Sequence, residues 1–181
     1  KMPAFLITLE NHTSPDIRKM AKITLSNFTQ KCSCPELLNT FLSLASKKNK
    51  NLNEKSFFYL TEIIGSLGDS LANLDTETLK KIFFVLGINL TESKFPENRH
   101  ISKKIFCYLQ NLMGNINFMK FLDLLLKENI LEFNTCREIS ECSHQKKRSS
   151  RFSIKEDLRK RNMPKRSLEN LDVEMYIKKN N

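Results

Sequence analysis

The feature that most constrains the fold is a helical spacing of apolar residues that recurs along the chain. Between short polar turns, apolar side chains return every three or four residues, the spacing that lines one face of an α-helix. No stretch alternates apolar and polar residues over the length of a strand, and the 181 residues include only four glycines. The pattern therefore predicts an all-α protein.

Helix-start signals divide this pattern into separate helices. Ser14-Pro15-Asp16 and Cys34-Pro35-Glu36 are each typical of an N-cap, a proline at the first helical position and an acid in the first turn. Further starts are predicted at Asn51, where Glu54 completes a capping box, and at Asp75, Arg99 and Asn117, with helix ends at Gly68 and Gly114. On the first helix, the expected buried face consists of Ile17, Met20, Ala21, Thr24, Leu25 and Phe28.

The predicted helices also repeat. Placing Arg18 over Glu54 and Arg99 superposes apolar or small residues at the following positions, with offsets of 36 and 45 residues. These offsets lie near the period of about 40–47 residues of HEAT units, helix pairs that bury their apolar faces by stacking on one another. The expected fold is a HEAT or armadillo-like α-solenoid of about three helical hairpins over residues 1–134.

The charge of the chain is concentrated towards its end. Residues 1–134 carry 17 basic and 13 acidic side chains, whereas residues 135–181 carry 13 basic and 7 acidic ones. The helical periodicity is lost there, and such a segment buries too little apolar surface to offset its ordering entropy. We therefore expect residues 135–181 to form a basic, mostly disordered tail with affinity for acidic surfaces.

The sequence offers little for catalysis or metal binding. The five cysteines (Cys32, Cys34, Cys107, Cys136 and Cys142) are odd in number and lack the spacing of a zinc site, which favours a reducing compartment. No nucleophile motif, phosphate-binding loop or metalloprotease motif is present. We expect a non-enzymatic protein without cofactor, metal or small-molecule substrate, and apolar runs too short for membrane insertion.

Three segments carry a resemblance to a known family. They are NHTSPDIRKMAKITLSNFTQ, LASKKNKNLNEKSFFYLTEIIGSLG and ESKFPENRHISKKIFCYLQNLMGNINFMKFLDLLLKEN. Together they resemble the last three HEAT units of a TOG domain, closest to those of the crescerin group, the TOG array regulators of axonemal microtubules. The resemblance covers the chain from Lys1 to about Leu131, without the family's first three units or the tryptophan of its first turn. Either those units lie upstream of Lys1, or the module is a degenerate one that acts only as a scaffold.

The resemblance implies tubulin binding. In TOG domains, the turns within the helix pairs line up along one edge that meets the tubulin heterodimer, and basic turns beside helix N-termini suit an acidic partner. Carried over by position, the expected tubulin-binding residues are Thr13, Ser14, Arg18, Lys47, Lys48, Lys50, Lys94, Asn98 and Arg99. The implied role is regulation of microtubule assembly in the cytoplasm and cytoskeleton, including the ciliary axoneme.

Two other functions fit the same sequence. A HEAT-repeat scaffold could bind another protein without any affinity for tubulin. Alternatively, the basic tail could bind nucleic acid through phosphate contacts, although only Phe152 and Tyr176 would supply the aromatic stacking of single-strand binders. For the two arginines, Arg18 and Arg99, the simplest structural role is a hydrogen bond to a neighbouring repeat.

Overall fold

The fold is all-helical in the part of the chain that the structure describes. The structure, a computed structural model, describes residues 2–31, 35–46 and 50–144, in which it forms helices and turns but no strand. The all-α prediction is therefore confirmed. The helices are α1 (Met2–Leu9), α2 (Pro15–Lys31), α3 (Pro35–Ala45), α4 (Lys50–Leu67), a 3₁₀ helix (Gly68–Asn73), α5 (Thr76–Thr91), α6 (Pro96–Met113), α7 (Asn115–Lys127) and α8 (Phe133–His144).

Several helix boundaries follow the predicted signals. Asp75 caps α5: its Oδ1 accepts from the backbone N–H of Thr78 at 2.8 Å, and its Oδ2 accepts from the Thr78 hydroxyl at 2.6 Å. These bonds lower the pKa of the Asp75 carboxyl, because they favour its charged form. Gly114, at a φ of 76°, separates α6 from α7 as expected.

Several boundaries differ from the prediction, including that of α7, which begins at Asn115 rather than at Asn117. Helix α6 begins at Pro96 rather than at Arg99. Proline is favoured at the first helical position, because the N–H that it lacks would have no partner within the helix. Helix α4 begins at Lys50, so Asn51 lies inside the helix instead of capping it. Helix α1 was not predicted, since its apolar sequence MPAFLITL carries no start signal.

Successive helices pack as pairs, and the pairs contact one another. Within the pairs, α1 contacts α2, α3 contacts α4 and α5 contacts α6. Between the pairs, α2 contacts α4 and α3 contacts α5, so that apolar side chains from several helices form one core. Its largest fully buried members are Phe41, Phe57, Tyr59, Phe83, Phe106 and Phe118.

A cluster of phenylalanines joins α5, α6 and α7. The ring of Phe83 on α5 lies 5.3 Å from that of Phe106 on α6, 5.6 Å from that of Phe118 and 4.9 Å from that of Phe121, both on α7. Beside it, Lys80 Nζ bridges Glu77 Oε1 at 2.8 Å and Glu128 Oε2 at 2.7 Å. The end of α7 is therefore held against the first turns of α5.

The buried face of α2 is only partly the predicted one. Ala21 and Leu25 are buried as expected, but Ile17, Met20 and Thr24 are exposed. The helix instead turns Thr29 inward, where its hydroxyl donates to Glu62 Oε2 of α4 at 2.9 Å. Helix α2 has apolar residues on more than one side, and the position of α4 decides which side is covered.

The C-terminal boundary of the helical fold also needs correction. Residues 135–144, which were expected to begin a disordered tail, belong to α8, which contacts α5, α6 and α7. Thr135, Ile139 and Cys142 are buried there. Contact with α5 is close: a Cβ added at Gly87 would lie 2.9 Å from Leu131 Cδ2 and 3.0 Å from Thr135 Cγ2. Residues 145–181 of the expected tail lie outside the described residues.

We expect Ile139→Ala to lower the free energy of unfolding by about 2–4 kcal/mol, because it removes most of a fully buried side chain and leaves a cavity in its place. Arg137→Ala, an exposed change on the same helix, serves as the control and should alter stability by less than about 0.5 kcal/mol. Both values can be measured by urea denaturation followed by circular dichroism. Equal stability of the two variants would mean that α8 is not part of the cooperative fold.

Candidate binding surface at the helical turns

The turn between α1 and α2 is fixed by an arginine of the following helix. Arg18, at the fourth position of α2, donates from Nη1 to the carbonyl oxygens of His12 and Thr13, each at 2.8 Å. Within the turn, the backbone N–H of Ser14 donates to Nδ1 of His12 at 3.1 Å. Thr13 and Arg18 are exposed. The turn thus presents polar groups to solvent in a defined conformation.

The turn between α5 and α6 is built in the same way. Arg99, at the fourth position of α6, donates from Nη1 to the carbonyl oxygen of Ser93. The backbone N–H of Phe95 donates to the Ser93 hydroxyl at 3.2 Å. Lys94 and Phe95 are exposed at the tip. Both turns therefore use a guanidinium group that reaches back across the helix N-terminus.

The two turns share a short sequence motif at the start of the helix that follows each of them. Pro15-Asp16-Ile17-Arg18 and Pro96-Glu97-Asn98-Arg99 both place proline first, an acid second and arginine fourth. Four residues into a helix, a long side chain can point back towards the N-terminal turn. Instead of bonding to a neighbouring repeat, the simplest role that the sequence predicts for them, Arg18 and Arg99 donate to the preceding turn of their own helix pair.

The first turn also contacts the beginning of α4. Lys55 Nζ lies 2.8 Å from Asn11 Oδ1 and 3.3 Å from Glu10 Oε2. The Tyr59 hydroxyl donates to Glu10 as well. Burial raises the pKa of the Tyr59 phenol, and the hydrogen bond to Glu10 raises it further, so the phenol remains a donor. These contacts bring the α1–α2 turn beside the second and third turns of α4.

The predicted site residues fall into three groups. Thr13, Ser14 and Arg18 share the first turn, and Lys94 and Arg99 share the third. Asn98 is only 7% exposed, which corrects its expected place on the surface of the turn. Lys47 and Lys48 lie outside the described residues. Lys50 is the first residue of α4, but its side chain is not among the described ones.

The described cysteines are poorly suited to nucleophilic chemistry. Burial raises the pKa of the Cys142 thiol to about 11, and it also raises the pKa of Cys107 and Cys136. Cys107 lies within the fold, where its Sγ donates to the carbonyl oxygen of Cys142 at 3.3 Å. Cys32 and Cys34 lie outside the described residues. Low thiolate content makes these three side chains weak nucleophiles and weak metal ligands at neutral pH.

Neither a metal site nor a membrane span is found among residues 2–31, 35–46 and 50–144. No group of three or more His, Cys, Asp or Glu side chains in these ranges could hold a metal ion. No helix in the same ranges is both long and apolar enough to cross a bilayer. Comparison of the chain with protein-family models, with curated proteins and with solved structures finds no match.

We expect Arg99→Ala to lower the free energy of unfolding by about 0.5–1.5 kcal/mol, since it removes a charged donor from a turn carbonyl. Lys94→Ala removes an exposed charge from the same turn and is the matched control, with a change below about 0.5 kcal/mol. Thermal and urea unfolding of both variants measure the difference. If both are equally stable, the arginine does not hold the turn.

We expect Cys142 to react with iodoacetamide far more slowly in the folded protein than in urea. Raising its thiol pKa from 9.0 to about 11 lowers the thiolate fraction at pH 8 about a hundredfold. The rate should therefore rise as the pH approaches 11, provided that the protein stays folded. Peptide mass spectrometry of timed alkylation gives the rate at each cysteine. A rate at pH 8 that equals the rate in urea would contradict the proposed protection.

Proposed function

We propose that this protein is a HEAT-type helical module that binds tubulin through the turns within its helix pairs and has no enzymatic activity. The main support is the contact of Lys55 with Asn11 and Glu10, because it places the first turn against the beginning of α4. Two predicted residues from separate turns therefore lie on neighbouring elements: Thr13 is in the α1–α2 turn, and Lys50 is the first residue of α4. A row of turns along one edge is what the resemblance to TOG domains implies.

The electrostatics of the turns fit an acidic partner. Lys94 and Thr13 are exposed next to the N-termini of α6 and α2, where unpaired backbone N–H groups give a partial positive charge. Arg18 adds a further exposed positive charge. Basic side chains beside helix N-termini increase the rate and the specificity of binding to an acidic surface such as that of tubulin.

The rigidity of the turns supports the same proposal. Arg18 and Arg99 hold their turns through hydrogen bonds, so that little conformational freedom is lost when a partner binds. In this proposal, the module acts on microtubule assembly in the cytoskeleton, with the ciliary axoneme as one place of action. Asn98 contributes to the packing of α6 and not to the contact with tubulin.

We expect the combined change of Lys47, Lys48, Lys50 and Lys94 to Glu to weaken tubulin binding at least about tenfold, through repulsion at the contact. The matched control reverses four exposed or tail lysines away from the turns: Lys81, Lys120, Lys127 and Lys178. It changes the net charge equally and should alter binding less than about threefold. Co-sedimentation with microtubules and size-exclusion chromatography with tubulin dimers measure both variants.

Two results would contradict the assignment of the turns. Unchanged binding of the turn variant would show that the turns do not contact tubulin. An equal loss in both variants would show that binding depends on net charge alone. Circular dichroism of both proteins checks that the helices are retained.

A protein-binding scaffold without affinity for tubulin is the second candidate. It is favoured by the arginine hydrogen bonds and by the burial of Asn98, which leave fewer predicted site residues free to contact tubulin. Affinity purification that recovers one other protein and no tubulin would support it. Deletion of residues 145–181, which leaves α8 intact, separates both candidates from nucleic-acid binding, since only the last depends on the tail.

A further inference from the structure

The turn between α5 and α6 carries a phenylalanine at a position where small polar residues are favoured. Phe95 is the N-cap of α6, and its side chain makes no capping hydrogen bond. Serine, threonine, aspartate and asparagine are favoured at an N-cap because their oxygens accept from the first free N–H groups of the helix. Asp75 does so at the start of α5. Phe95 therefore leaves out a stabilising contact that a small polar residue would supply.

The matching turn before α2 has a serine at the same position. Ser14 stands immediately before the proline that opens its helix, as Phe95 does. The backbone N–H of Ser14 donates to His12 Nδ1 at 3.1 Å. The backbone N–H of Phe95 donates in the same way to the side chain two positions earlier, the Ser93 hydroxyl, at 3.2 Å. Because a turn of the same kind forms with serine, the ring is not required for the backbone conformation.

The ring of Phe95 lies at the surface on a fixed backbone. It is 44% exposed, whereas Phe83 and Phe106, on the two helices that the turn connects, are buried. The carbonyl oxygen of Phe95 accepts from the backbone N–H of Asn98 at 3.1 Å and from that of Arg99 at 3.3 Å. An aromatic ring held in this way has few torsions to immobilise when a partner covers it.

Exposure alone does not distinguish Phe95, since single apolar side chains are common on protein surfaces. Phe5 and Ile116 are more exposed, at 62% and 70%. Both lie inside helices, α1 and α7, and neither occupies an N-cap. Phe95 combines exposure with the loss of a cap, and departures from local preference of this kind are expected at functional positions.

The charges of the α5–α6 turn offset one another. Lys94 and Arg99 are matched by two acids, Glu92 and Glu97, and both acids are exposed. Attraction between this turn and an acidic surface is therefore weak. Burial of an aromatic ring, by contrast, contributes to binding without a complementary charge. The ring is the group of this turn with the most to gain from contact.

We propose that Phe95 is an apolar anchor, a side chain that becomes buried against tubulin when the α5–α6 turn binds. This inference rests on the proposed function, and it assigns the main contact of this turn to the ring instead of to Lys94. The contribution of Phe95 is apolar, so it persists when salt screens the charges of the other turns. Keeping a ring at this position excludes a polar cap.

The test compares Phe95→Ser with the unchanged full chain in co-sedimentation with microtubules and in size-exclusion chromatography with tubulin dimers. We expect the variant to bind at least about tenfold more weakly, as after truncation of other aromatic anchors. Its Tm should be equal or higher, because serine can cap α6. Weaker binding without lower stability is a result that a structural role of the ring would not give. The ratio of the two affinities should change less than about twofold between low and physiological salt.

Two further variants serve as controls. Phe95→Tyr keeps the ring and should bind within about twofold of the unchanged chain. Ile116→Ser changes another exposed apolar residue, beyond the far end of α6, and should leave the affinity unchanged. The 18 residues of α6 separate it from Phe95 by about 27 Å. If Phe95→Ser lowers the Tm, Phe95→Asn replaces it, because asparagine is also a favoured N-cap.

The possible failures are distinguishable. No binding by the unchanged chain overturns the proposed function and this inference with it. If the unchanged chain binds and Phe95→Ser binds equally well, this inference alone is overturned. It is also overturned if Phe95→Tyr binds as weakly as Phe95→Ser, if the loss disappears as salt is raised, or if both the serine and the asparagine variants lose affinity only together with a lower Tm.

Discussion

Burial of apolar side chains between neighbouring helix pairs is the interaction on which the rest of this structure depends. No helix here covers its own apolar residues: α4 buries Phe57, Leu60 and Ile64 only because α2 and α3 lie against it. Each fully buried aliphatic or aromatic side chain contributes about 1.5–3 kcal/mol, and this gain is available only when the pairs pack together. The helices, the turns and the exposed face of α2 all take their positions from that packing.

Polar contacts between the helix pairs add specificity to this apolar packing. Thr29 donates to Glu62, Tyr59 donates to Glu10 and Tyr108 donates to Asp69. Each bond joins residues more than 30 positions apart, and each satisfies a polar group that would otherwise be costly to bury. Sliding one helix past another by a turn would break these pairs, so they fix the alignment of the helices.

The exposure of the turns and of one side of α2 follows from the way the helices pack. The turns are exposed because they connect helices at the edge of the packed core, and Arg18 and Arg99 give two of them a similar conformation. Met20 and Ile23 of α2 are exposed because, among the described residues, no helix pair covers that side.

The sequence by itself determined the helical class and several helix boundaries, because these follow from local spacing, caps and glycines such as Asp75 and Gly114. Only the tertiary structure decided which side of α2 is buried, that α8 belongs to the fold and that Asn98 lies inside it. It also decided that Arg99 bonds to its own turn. Local sequence patterns indicate which faces of a helix are apolar. Which of those faces is covered depends on neighbours distant in sequence, and no local pattern contains that information.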